Sequence, residues 1–149
     1  MPFKDIACHV WAIDGYKDDA TAKDVNERYV AASKDLVVSN NKASRDAGLK
    51  ALVDASRRSA HTKEVAIVYG GYRRGQKTPE HMWMEYNGLI YETMPGYELH
   101  KAVASSATRK CPPLENDAFE SSGVAEYKTY LTESQKAYIA SVDTSSSSS

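Results

Sequence analysis

A β-hairpin centred on Asn87-Gly88 is the feature that most constrains how this chain can fold. Two runs of alternating residues, 81–86 and 89–94, are joined by an Asn-Gly pair, which is the strongest short-range signal for a type I′ turn. With these two residues as the loop, Tyr86 faces Leu89. Because side chains alternate between the faces of a strand, one face is predicted to carry His81, Trp83, Glu85, Ile90, Glu92 and Met94.

On that face, His81 and Glu92 are predicted to be diagonal neighbours. Such residues lie about 7 to 8 Å apart at the backbone, within the reach of a long side chain. A carboxylate in this position can orient an imidazole for acid-base chemistry. An ordinary half-buried strand pair would carry the same residues, so the hairpin alone does not establish a site.

The remaining sequence predicts an α+β domain of 149 residues, a length typical of a single domain. Helical spacing predicts helices at about 20–38 and 43–59, a β-branched run predicts a central strand at 65–69, and 72–80 is predicted to be a loop. Residues 132–135 have the spacing of a capping box that starts a last helix. Two less regular stretches predict a short helix at 97–107 and, at 6–13, either a strand or an ordered segment that leads into the first helix. The domain is expected to span 1–143, with a disordered serine tail at 144–149.

Charge and composition exclude several classes of function. A formal net charge of −1, from 19 basic and 20 acidic residues, gives no electrostatic case for binding nucleic acid or an anionic membrane. The cysteines and histidines do not have the spacing of metal ligands, and no glycine-rich loop matches a phosphate-binding motif. Neither a metal nor a cofactor is therefore expected. Cys8 and Cys111 are expected to be free thiols in a cytoplasmic protein, although a mature secreted form remains open. The oligomeric state is left open.

Four segments, taken in order, resemble the transglutaminase-like branch of the papain-like superfamily. The resemblance covers residues 41–96. The segment beginning Ser44-Arg45-Asp46 resembles the nucleophile helix, which usually reads Cys-Arg-Asp, and 65–72 is similar to the strand that follows it. Residues 81–85, His-Met-Trp-Met-Glu, resemble the family strand that reads His-Ala-Trp-Val-Glu, and Tyr91-Glu92 resembles the strand that carries its acid. The implied fold is papain/transglutaminase-like, with N-terminal helices packed on an antiparallel β-sheet.

The resemblance implies a catalytic triad of Ser44, His81 and Glu92, with the Ser44 hydroxyl within about 4 Å of a His81 nitrogen. The family nucleophile is cysteine, and a serine hydroxyl gains almost no ionised fraction at a helix terminus. We therefore expect either a naturally inactive protein or a sequence with a Cys-to-Ser change, and we favour the second. The family acid is more often Asp, and the extra methylene of Glu92 suits a diagonal reach.

The same resemblance implies acyl transfer on a protein or peptide substrate. The nucleophile would attack an amide carbonyl, with water as acceptor for hydrolysis or deamidation and an amine for transamidation. Asn40 or Asn41 is expected to help form the oxyanion hole. Trp83 and Tyr72 are expected to contact substrate.

Two alternatives accompany this interpretation. Cys8 is a rival nucleophile because it precedes His81 in the order that these superfamilies use, but its apolar, strand-like surroundings favour a buried inert thiol. The second alternative is a catalytically inactive transglutaminase-like module that binds a protein segment in the former substrate cleft.

Overall fold

The computed structural model describes residues 7–93, 99–103 and 123–147, and in them the chain has an α+β fold. Three helices, α1 (Cys8–Asp14), α2 (Asp19–Lys34) and α3 (Lys42–Ser56), precede the sheet, and α4 (Glu133–Ser147) follows it. The strands are β1 (His61–Gly71), β2 (His81–Tyr86), β3 (Leu89–Thr93), β4 (Leu99–Val103) and β5 (Val124–Thr132). They form one antiparallel sheet in the order β4-β3-β2-β1-β5. None of the described helices is long and apolar enough to cross a membrane.

The predicted hairpin is confirmed in both turn and register. Tyr86 pairs with Leu89 and Met84 pairs with Tyr91. Asn87 and Gly88 have φ angles of 53° and 78°, and a type I′ turn needs positive φ at both positions. The predicted central strand is also confirmed, because β1 lies between β2 and β5.

The short helix α1 lies inside the hydrophobic core. Its residues Val10, Trp11, Ala12 and Ile13 are at most 4% exposed, and they belong to the same apolar cluster as Met82, Met84 and Tyr91 from β2 and β3. The Trp11 indole Nε1 donates a hydrogen bond to the Tyr91 carbonyl at 3.3 Å. These contacts hold α1 against the two strands of the hairpin.

Three segments differ from the sequence prediction. Residues 8–14 form α1 and not a strand, since a short, fully buried helix is apolar on all sides and lacks the periodicity that would reveal it. Part of the helix predicted at 97–107 is the strand β4, paired with β3, and its other residues lie outside the described ones. The last helix runs through Ser147, so residues 144–147 of the predicted disordered tail are helical, and 148–149 lie outside the described residues.

The predicted capping box at the start of α4 is confirmed. The Thr132 hydroxyl accepts from the Gln135 N–H at 3.0 Å, and the Gln135 side-chain Oε1 accepts from the Thr132 N–H at 2.9 Å. Gln135 has a second role, because its Nε2 donates to the carbonyls of Trp11 at 3.1 Å and Ala12 at 2.9 Å. These carbonyls belong to α1, so the buried Gln135 side chain joins α4 to the helix that begins with Cys8.

Replacing Gln135 tests this connection. Gln135→Ala removes three hydrogen bonds from a side chain that is 0% exposed and leaves a cavity between α1 and α4, so we expect a loss of about 2 to 4 kcal/mol in the free energy of unfolding. Urea denaturation followed by circular dichroism measures it. Lys136→Ala, which removes only an exposed ion pair with Glu64, is the matched control and should change stability much less. Equal effects would contradict the proposed role of Gln135.

Candidate active site

Cys8 is the first residue of α1, and its partly exposed thiol meets β2 where that strand begins. The His81 imidazole and the Met82 backbone lie close enough to the sulfur to lower its pKa. The first N–H groups of a helix have no partner within the helix, so a carbonyl attacked by this sulfur would lie beside backbone donors. Cys8 therefore has the surroundings of a nucleophile.

His81 is held by Glu92, as the hairpin register predicts. The distance between His81 Nε2 and Glu92 Oε1 is 2.7 Å, and the side chains are 10% and 0% exposed. Trp83 stacks against the His81 ring with 5.5 Å between the ring centroids. Because Nε2 is occupied by Glu92, Nδ1 is the nitrogen left for another partner. The structure thus places Cys8 beside the hydrogen-bonded pair of His81 and Glu92.

The charges of these groups favour a thiolate–imidazolium pair. Burial raises the pKa of Cys8, but hydrogen bonds from His81 and His9 and the charge of His81 outweigh it and lower the pKa to about 6. Burial lowers the pKa of His81, but hydrogen bonds to Cys8 and Glu92 and the charge of Cys8 raise it to about 9. Between these two values the sulfur is deprotonated while the imidazole keeps its proton.

His9, the next residue of α1, contacts two residues of α2. Its Nε2 lies 2.6 Å from Asn26 Oδ1, and its ring stacks on Tyr29 with 4.4 Å between centroids. Burial raises the pKa of Tyr29 to about 12, and the charge of Cys8 adds to the increase. This tyrosine therefore stays protonated beside the sulfur at neutral pH.

Among the described residues, Ser44 makes no hydrogen bond to His81. Its hydroxyl accepts from the Ser39 N–H at 2.7 Å, whereas the hydrogen-bond partner of His81 is Glu92 and Cys8 lies beside it. The neighbouring Asp46 accepts from the Glu126 N–H at 2.9 Å. The Ser-Arg-Asp segment thus contacts the loop before α3 and joins α3 to β5. These contacts give its residues a structural role.

The predicted substrate-binding residues also have structural roles. Asn41 caps α3 by accepting from the Ser44 N–H at 2.9 Å, and Asn40 accepts from the Arg45 guanidinium, so neither serves the oxyanion hole that was predicted around Ser44. Trp83 is 1% exposed and Tyr72 is 3% exposed. Trp83 supports the imidazole ring, and Tyr72 packs in the core.

Potential metal ligands and cavities were also located in the described part of the chain. This part contains no cluster of three or more His, Cys, Asp or Glu side chains that could hold a metal ion. A cavity of about 760 Å³ lies beyond the other end of α1, and Tyr16, Arg58 and Tyr138 are part of its lining. None of its lining residues belongs to the triad, so it is separate from the site at Cys8.

Comparison with known proteins does not place the chain in a family, because no family model, no curated protein and no solved structure matches it. The functional argument therefore depends on the geometry of the Cys8 site.

The thiolate–imidazolium pair predicts an unusual pH dependence. Alkylation of Cys8 by iodoacetamide should rise with a midpoint near pH 6, because the thiolate is the reacting form. His81→Ala should move the midpoint toward the roughly 8.5 of an unperturbed thiol. Mass spectrometry of labelled peptides over a pH series separates Cys8 from Cys111. An unchanged midpoint in His81→Ala would show that the imidazole does not stabilise the thiolate.

The two glutamates on the triad face allow a matched test of orientation. Glu92→Gln removes the charge that holds the His81 ring, and we expect a decrease of about 10²-fold or more in the turnover of an amide substrate. Glu85→Gln changes a carboxylate that accepts instead from the Tyr69 hydroxyl at 3.2 Å, and its effect should be only a few-fold. Steady-state kinetics on both variants shows which glutamate orients His81. The opposite order of effects would mean that Glu92 is not the orienting acid.

Proposed function

We propose that this protein is a cysteine-type acyl-transfer enzyme of the papain/transglutaminase-like kind, acting on amide bonds of a protein or peptide. The placement of Cys8 beside the hydrogen-bonded pair of His81 and Glu92 is the observation that carries the proposal. Cys8 is the nucleophile, His81 the acid and base, and Glu92 the orienting residue. The order along the chain, cysteine at a helix start followed by histidine and an acid on paired strands, also supports it.

The proposed reaction begins with attack of the Cys8 thiolate on the amide carbonyl carbon. A sulfur–carbon bond forms, and the carbonyl electron pair moves onto oxygen beside the first N–H groups of α1. The His81 imidazolium gives its proton to the leaving nitrogen as the carbon–nitrogen bond breaks, which leaves a thioester. Water or an amine then attacks the thioester, giving its proton to His81 and releasing the Cys8 thiolate.

Glu92 serves this sequence through its burial. Its 2.7 Å contact fixes the ring so that the nitrogen facing Cys8 exchanges the proton, and its negative charge stabilises the imidazolium between steps. Within the described part of the chain, the other carboxylate oxygen, Oε2, is buried and without a hydrogen-bond partner. Among the described residues, His81 is therefore the side chain that the Glu92 carboxylate stabilises most directly.

The inactive binding module is the second candidate, and the site at Cys8 weakens the case for it. That hypothesis followed from a serine at the expected nucleophile position. With Cys8 as the nucleophile, the serine at position 44 no longer implies a loss of chemistry. Hydrolysis, deamidation and transamidation use the same thioester, and they differ only in the bond attacked and the acceptor.

Substitution of the two rival nucleophiles tests the proposal. Cys8→Ala should abolish thioester formation and turnover, a loss of about 10⁴-fold or more, whereas Ser44→Ala should change turnover less than about threefold. A library of glutamine-containing peptides, assayed for ammonia release, new amino termini and incorporation of a fluorescent primary amine, distinguishes the three reactions. Turnover that persists in Cys8→Ala, or that is lost in Ser44→Ala, would refute the proposal.

A further inference from the structure

We propose that the cavity at the C-terminal end of α1 is a binding site for a small aromatic anion, such as an aromatic carboxylate. Its volume of about 760 Å³ lies within the range of roughly 300 to 1,000 Å³ that is usual for small-molecule pockets. Three segments form it: the α1–α2 connection, the α3–β1 connection and α4. None of them has a part in the proposed reaction at Cys8, so the inference goes beyond that function and does not depend on it.

Hydrogen bonds fix the walls of the cavity. The Asp14 carboxylate, which is 1% exposed, accepts from the backbone N–H groups of Arg58 at 3.0 Å and Ser59 at 2.8 Å. The Glu133 N–H donates to the Ala60 carbonyl at 2.8 Å, which joins the α3–β1 connection to the start of α4. A site whose walls are already in place loses little conformational freedom when a ligand binds.

The α1–α2 connection approaches α4 closely because residue 15 is glycine. Gly15 has a φ of 85°, and a Cβ atom there would lie 2.6 Å from the Gln135 backbone nitrogen. A residue with a side chain would push the connection away from α4. The glycine therefore allows Tyr16 on the connection and Tyr138 on α4 to line the same cavity.

The apolar part of the lining suits an aromatic ring. Tyr16 and Tyr138 contribute aromatic rings, and Ala60 and Ala137 add small apolar side chains. Tyr138 is itself held in place, because its ring packs edge-on against Trp11 with 5.7 Å between the centroids. Aromatic rings attract one another in such edge and offset contacts, so a flat aromatic ligand should bind better here than an aliphatic one of similar size.

The charges of the lining favour an anion. Lys17 and Arg58 are basic and exposed, and Glu133 is the acidic residue in the described lining. Arg58 is paired with Asp24 through one guanidinium nitrogen, and a guanidinium has further N–H donors. The anionic group of a ligand can therefore lie beside two cations at the exposed edge of the cavity, where charge-assisted hydrogen bonds hold it.

NMR titration of the full-length protein with indole-3-acetate, a bicyclic aromatic carboxylate, tests the proposal. We expect saturable binding to one site with a dissociation constant of roughly 1 mM or tighter, a value typical of a ligand of this size. Indole-3-acetamide, which lacks the charge, and cyclohexylacetate, which lacks the aromatic ring, should each bind at least about threefold more weakly.

Two substitutions locate the binding site. Ala137→Trp fills the cavity from an exposed position of α4 and should weaken binding more than about tenfold. Lys17→Gln removes one cation and should weaken binding of indole-3-acetate about three- to tenfold without changing that of the amide. Lys23→Gln, at an exposed position of α2 outside the lining, is the matched control and should change neither. Circular dichroism checks that each variant is folded.

The outcomes of this test are separate from those of the proposed function. The proposal fails if the native protein shows no saturable binding, or if Ala137→Trp binds indole-3-acetate as tightly as the native protein does. Equal affinities for indole-3-acetate and its amide would show that the cavity does not recognise an anion, which also refutes it. Cys8→Ala should bind indole-3-acetate with unchanged affinity, and a loss of binding there would place the ligand at Cys8 and overturn the assignment to this cavity.

Discussion

The hydrogen bond between Glu92 and His81 is the interaction on which the proposed site depends. A carboxylate that is 0% exposed is costly to bury alone, and it is tolerated because a cation and a good hydrogen bond compensate for the lost hydration. The same cation is shared with the Cys8 sulfur on its other side. The His81 cation therefore stabilises an anion on each side, and removal of the imidazole would leave two negative groups near each other without a compensating charge.

The burial of α1 brings the sulfur to that imidazole. Trp11 is 0% exposed and hydrogen-bonded to the Tyr91 carbonyl, and Tyr91 directly precedes Glu92 in β3. Gln135 holds the carbonyls of Trp11 and Ala12 from the other side. Because the middle of α1 is tied to β3 and α4, which are far away in sequence, the position of Cys8 is a property of the whole core. Substitutions in that core should change the reactivity of Cys8 by moving its sulfur relative to His81.

The hairpin could be predicted from sequence because its determinants are local. Asn87-Gly88 sets the turn, the turn sets the register, and the register places Glu92 beside His81. The proposed nucleophile could not be predicted in this way, since both Cys8 and Ser44 lie near a helix N-terminus and only tertiary packing decides which one lies beside His81. The α3 start has a clear local signal, an Asn41 cap followed by polar residues. The α1 start lacks a side-chain cap, and its run of apolar residues resembles a strand.

A comparison of magnitudes explains why a helix start alone was a poor guide to the nucleophile. Lowering the pKa of Cys8 from 9.0 to about 6 corresponds to roughly 4 kcal/mol in favour of the thiolate. A helix terminus contributes only about 0.3 to 1 kcal/mol, and α1 has just seven residues. The larger effect on the pKa of Cys8 is therefore assigned to the groups beside it, above all the His81 imidazole. Ser44 lies in the first turn of a longer helix, but its hydroxyl ionises far less readily, and the hydrogen bond at its oxygen comes from the Ser39 N–H. Under the proposed function, the imidazole and not the helix selects the nucleophile, so a search for such sites in sequence should begin from the histidine–acid pair.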